Sequence, residues 1–83
     1  MTENGGYIVI GRGGNAMMLA HYDDTPRGGV LLFGRHGHLF ASRGTAQRAV
    51  ERTVRYARER GLTWERGDYS IQRVREAGGG NRE

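Results

Sequence analysis

The chain has no cysteine, no lysine and one proline, and its apolar runs extend for only four or five residues. Without cysteine there is no disulfide, no thiolate metal site and no thiol nucleophile. Apolar runs this short leave no stretch able to span a bilayer. The polar opening MTENGGY lacks the apolar stretch of a signal peptide, so a cytoplasmic location is expected. Thirteen arginines and no lysine suit bidentate phosphate contacts, but codon usage in a GC-rich genome gives the same bias and is the simpler source. What remains is a net charge of +4, which favours anionic partners.

Eighty-three residues make one domain. The expected boundaries are residues 7–76, with flexible tails at 1–6 and at 77–83 (AGGGNRE), where glycine and polar residues cannot offset their ordering entropy. Short β-branched or apolar runs at 7–10 (YIVI), 16–22 (AMMLAHY), 30–33 (VLLF) and 38–41 (HLFA) read as strands. The Pro/Gly-containing segment 23–29 (DDTPRGG) reads as a loop and 34–37 (GRHG) as a turn.

From 45 to 60 the apolar period becomes helical. Ala46, Ala49, Val50, Thr53, Val54, Tyr56 and Ala57 fall on one face, while Gln47, Arg48, Glu51, Arg52, Arg55, Arg58 and Glu59 fall on the other. Ser42 or Thr45 suits the start, and Gly61 suits the left-handed position past the end. Leu62 and Trp64 are expected to plug the far end of this helix. A last strand follows at 69–75 (YSIQRVR), with a bulge or an edge position expected where the alternation breaks between Ile71 and Val74. The sum is an α+β fold: an antiparallel sheet of about four to five short strands with one amphipathic α-helix packed on one face, in the order ββββαβ.

The stretch Gly11-Arg12-Gly13-Gly14-Asn15-Ala16 has the form of a dinucleotide-binding turn. That motif needs a helix opening from the glycines and an acidic residue about 20 positions on. Here Asp23, Asp24 and Pro26 stop the run, and residues 25–39 hold no acid. A tight bend between two strands accounts for Gly-Gly and Asn, which tolerate positive φ, so no cofactor is expected. His36 and His38, with His21 and Asp23 or Asp24, lack a third fixed metal ligand, and a solvated hairpin tip is the reading adopted. Ser42, Ser70 and the three histidines form no ordered nucleophile–base set, and Asp23-Asp24 sits in a loop where carboxylates are solvated. A non-enzymatic protein is expected.

The remaining candidates are partner-binding residues. Arg48, Arg52 and Arg55 lie within about 60° of one another on the helix, with Arg58 nearby and Arg43 at its entrance. Such a stripe can track a phosphate backbone, although Glu51 and Glu59 interrupt it in the manner of a solubilising face. Tyr7, Phe33 and Phe40 read as core; Tyr22, Tyr56 and Tyr69 fit either place. Met17 and Met18 present side chains to both sheet faces, where they form either an exposed apolar patch for a protein partner or part of the core or of a homodimer seam. The expectation is a small binding module that meets an anionic partner, nucleic acid or an acidic protein surface, through the helix arginines. The layout is similar in general architecture to many small bacteriophage and mobile-element proteins, some of which inhibit host defence enzymes. That likeness implies a protein inhibitor of a nucleic-acid-handling complex as the alternative, with a structural homodimer as the third.

Overall fold

The β-branched run Ile8-Val9-Ile10 forms strand β1 (Gly5–Ile10), which alternates Val9 into the core with Ile8 and Ile10 on the other face. In the computed structural model, which describes residues 5–34 and 36–75, it is followed by β2 (Met17–Ala20), β3 (Val30–Phe33), α1 (Arg43–Glu59), a 3-10 turn (Arg66–Asp68) and β4 (Ser70–Arg75). The expected tail at 77–83 lies outside the described residues. Of the expected N-terminal tail, residues 1–4 lie outside the described residues, and Gly5 and Gly6 pair with Arg75 and Val74 in the sheet.

The fold is α+β with one helix, but the strands form two antiparallel pairs, β1–β4 and β2–β3, rather than one continuous sheet. The cause is the way the first hairpin opens. Gly14 N–H donates to the Gly11 carbonyl at 3.0 Å and Gly11 N–H to the Asn15 carbonyl at 2.9 Å, so residues 11–15 turn the chain back. Gly13 and Gly14 adopt φ of 90° and 85°, which L side chains resist. The chain enters strand β2 from this turn, not the helix that a dinucleotide site requires. Past the bridge between Ile10 and Ala16 the two arms part.

Residues 38–40 occupy the opening. Tyr7 and Phe40 exchange both backbone hydrogen bonds, at 2.9 and 2.8 Å, while His38 N–H reaches the Met17 carbonyl at 3.0 Å. This corrects the expected strand at 38–41: Phe40 makes a single bridge, since the segment is shared between two partners and runs along neither. Of the two expectations for β4, the edge position is the one found: among the described residues β4 pairs with β1 alone, without a bulge, from Gly5 with Arg75 to Ile10 with Ser70. Ile71 lies opposite Val9 on the core side and Val74 opposite Gly6 on the other, so apolar residues on both faces imitated a register break.

Helix α1 starts at the Ser42 N-cap, whose Oγ accepts Thr45 N–H at 3.2 Å while Thr45 Oγ1 accepts Ser42 N–H at 3.3 Å. It ends in a Schellman arrangement, with Leu62 N–H on the Ala57 carbonyl at 2.9 Å and Gly61 N–H on Arg58 at 3.1 Å. Its buried face is Ala46, Ala49, Val50, Thr53, Val54 and Ala57. Three alanines on this face let the helix come close to the strands, and Val50 and Val54 join Val9, Met17, Leu31 and Phe40 in one core that both sheets share. Tyr56, expected on this face, is only half-buried and donates to Asp24 Oδ2 at 3.1 Å, with the Arg60 guanidinium 3.7 Å from its ring centroid.

The helix also holds the outer edge of β3 by polar contacts. Thr53 Oγ1 accepts Leu31 N–H at 2.9 Å and donates to the Ala49 carbonyl at 2.7 Å. Arg52 donates from Nε to the Gly29 carbonyl at 3.0 Å and from Nη2 to Gly28 at 2.9 Å. Gly28 has φ of 98°, and a Cβ there would stand 2.7 Å from the Arg52 guanidinium carbon. Phe33 is not core: it is 63% exposed at the end of the strand.

Candidate anion-binding groove

The arginines on the polar face of α1 split into two groups. Arg43, Arg48, Arg55 and Arg58 are exposed, whereas Arg52 is half-buried and committed to the carbonyls of Gly28 and Gly29. Arg52 therefore belongs to the fold, and the expected stripe is broken at its middle. Periodicity gives the face a residue occupies but not the loop that folds over that face.

Arg43 and Arg48 line an open groove of about 620 Å³ between the first half of α1 and the chain leading into β4. Gln47 and Arg66 complete its polar wall, and Tyr69 and Ile71 lie at its base. Arg66 forms an ion pair with Glu51, the one acidic residue among the groove's lining. The Arg43 guanidinium sits 5.4 Å from the Tyr7 ring centroid, which restrains it at the groove's end.

The helix dipole strengthens the positive potential here. The first turn of α1 contains no acidic residue, and Arg43 occupies its first position, where a cation opposes the dipole. The Arg43 and Gly44 N–H groups point out of the helix end with no hydrogen-bond partner among the described residues. An anion at this point would meet a guanidinium, free backbone donors and the positive helix end together.

A second cavity, of about 250 Å³, opens on the other side of Tyr69. Its walls are apolar, from Met17, Leu31, Phe33 and Trp64, and the Arg12–Asp68 ion pair forms its rim at 2.7 Å. The Arg12 hydrogen bonds, with a further one from Glu65 N–H, hold the Asp68 carboxyl below the usual aspartate range; the same pairing raises Arg12. Burial, and then the Asp68 charge, push the Tyr69 phenol up. Trp64 and Thr63 also border a third, open cleft of about 520 Å³ that reaches Arg58 and Arg66. The three depressions thus adjoin around residues 63–69.

Of the remaining candidates, Arg55 is exposed outside all three depressions. Met17 is 4% exposed within the core, which removes it from any docking patch. Met18 is half-buried, with its sulfur over Gly34. Leu62 is 44% exposed and Trp64 half-buried; instead of plugging the helix end, they line the third cleft. Arg12, Arg66, Phe33 and Trp64 had no place among the candidates from sequence. A tryptophan within the polar loop 63–68 was the available signal, since a large ring in such a setting has few partners of its own.

Among the described residues no cluster of three or more His, Asp or Glu side chains could hold a metal, and no helix is long and apolar enough to cross a membrane. Comparison of the chain with protein-family models, with curated proteins and with solved structures gives no match.

Proposed function

We propose that this protein is a small, non-catalytic binding module that takes an anionic partner into the groove between α1 and β4. The observation that carries the reading is the convergence of Arg43, Arg48 and Arg66 on one groove that contains a single acid, Glu51. The unfavourable placement of Arg43 at the helix start supports it, because a bound anion offsets that cost. Arg58 extends the positive surface along the helix, and Arg55 contributes only long-range attraction.

The test is binding of a fluorescent oligonucleotide at low salt, followed by anisotropy. Arg43→Glu combined with Arg48→Glu should abolish binding, whereas Arg55→Glu should weaken it only a few-fold. Equal loss in both variants would mean diffuse attraction and no groove.

A protein partner is the second reading, favoured by the sheet face turned away from the helix. Ile8 and Ile10 are half-buried there, and Leu39 is 55% exposed beside Gly6. An inhibitor that blocks a nucleic-acid-handling complex would use this apolar face. In that case Leu39→Asp, and not the arginine variants, should release the partner.

A further inference from the structure

The anionic-partner reading leaves the apolar cavity beside the groove unexplained. This cavity is walled by Phe33 and Trp64 and backed by Met17, Leu31 and Tyr69. At about 250 Å³ it lies below the range of about 300–1,000 Å³ typical of drug-sized ligand sites, and suits one planar ring group. Phe33 is 63% exposed beside it, a large cost for an aromatic ring with no partner.

Charge and hydrogen bonding at the rim are equally specific. Arg12 uses Nε and Nη2 on Asp68 Oδ1, at 3.2 and 2.7 Å, so Nη1 has no partner among the described residues. Asp68 Oδ2 accepts Glu65 N–H at 3.0 Å, which turns the remaining carboxylate oxygen back into its own loop. The rim therefore carries, next to aromatic walls, a guanidinium nitrogen without a partner among the described residues. Arg66 lies across residues 63–69 from this cavity, in the groove that also holds Arg43 and Arg48.

We infer that the cavity between Phe33 and Trp64 receives one unstacked base of a single-stranded nucleic acid whose phosphates lie on the arginine groove. This rests on the anionic-partner reading and deepens it. A ribose-phosphate chain supplies the repeating charge that arginines spread over two adjoining depressions require, and each of its units carries a flat ring suited to aromatic walls. A duplex keeps its bases inside the stack and cannot offer one without unpairing it. An acidic peptide with an aromatic side chain offers one ring among its carboxylates, whereas a single strand carries a flat ring on every phosphate unit, so the base is the better occupant.

Trp64 is the only tryptophan, so its emission reports directly on the cavity. The experiment titrates the full chain with three probes of equal length: a single-stranded oligonucleotide, its abasic counterpart and a duplex. The expected result is quenching of Trp64 by the single strand alone, with affinity at least about tenfold above that of the abasic strand. Phe33→Ala, at an exposed position, should reduce that advantage to under about threefold and leave abasic binding unchanged. Equal affinity for the single and abasic strands, without quenching, overturns the base site while the groove stands. Duplex binding as tight as single-strand binding overturns it too, as does quenching by an acidic aromatic peptide when the oligonucleotide gives none. Failure of every polyanion to bind removes the groove and the base site together.

Discussion

Thr53 Oγ1, wholly buried in the middle of α1, accepts the Leu31 N–H of β3 at 2.9 Å. One hydroxyl thus joins the helix to a sheet edge that would otherwise carry an unpaired buried donor. Its own proton goes to Ala49 at 2.7 Å, so both of its capacities are used inside the fold. Thr53→Val keeps the shape and removes the acceptor. It should cost about 1–3 kcal/mol in urea denaturation, because the Leu31 N–H is left buried and unsatisfied. Thr53→Ser should recover most of the loss, and equal loss in both variants would assign the cost to packing.

Arg52 and Arg48 share the polar face of one helix but should behave oppositely. Arg52→Ala removes two hydrogen bonds to the carbonyls of Gly28 and Gly29 and should destabilise by about 1–2 kcal/mol. Arg48→Ala should change stability by no more than about 0.5 kcal/mol and weaken polyanion binding instead. Paired denaturation and binding measurements on the two variants check the division.

The Arg12–Asp68 pair should appear in the acid limb of stability. The folded pKa of Asp68 is depressed, first by its hydrogen bond from Arg12. Its contribution is therefore complete above the unfolded aspartate value of about 3.9 and is lost as pH falls through the lower folded value. Asp68→Asn should flatten the decline of stability below about pH 4. An unchanged acid limb in that variant would show that the pair contributes nothing.

The helix cap gives a local check on α1. Ser42→Ala removes the acceptor for Thr45 N–H and should cost about 0.5–2 kcal/mol in thermal or urea unfolding. Ser42→Asp should retain the cap and place a negative charge at the helix start, partly offsetting Arg43. On the proposed reading it also weakens polyanion binding.

The elements were legible where local chemistry decides them. The period of Ala46, Ala49, Val50, Val54 and Ala57 gives the buried face of α1, and Gly13-Gly14 gives a turn, since both depend on neighbours in sequence. The parting of β1 and β2 was not legible, because it depends on His38 and Phe40 bonding to different strands. Arg52 read as a surface cation because its partners, the Gly28 and Gly29 carbonyls, lie over 20 positions away. Phe33 read as core because apolar character does not reveal that the last residue of β3 is left exposed. Arg43 and Arg48 were found from the helix alone; Arg66, which completes their groove, comes from a loop that only the tertiary fold brings beside them.

The salt dependence of oligonucleotide binding tests the arginine groove most directly. Two phosphates on Arg43 and Arg48, with Arg66 already paired to Glu51, predict a slope of about −1.4 for log K against log salt on a single strand, reduced in size by about 0.7 in Arg48→Ala. A flat response, or a slope that Arg48→Ala leaves unchanged, would contradict the account.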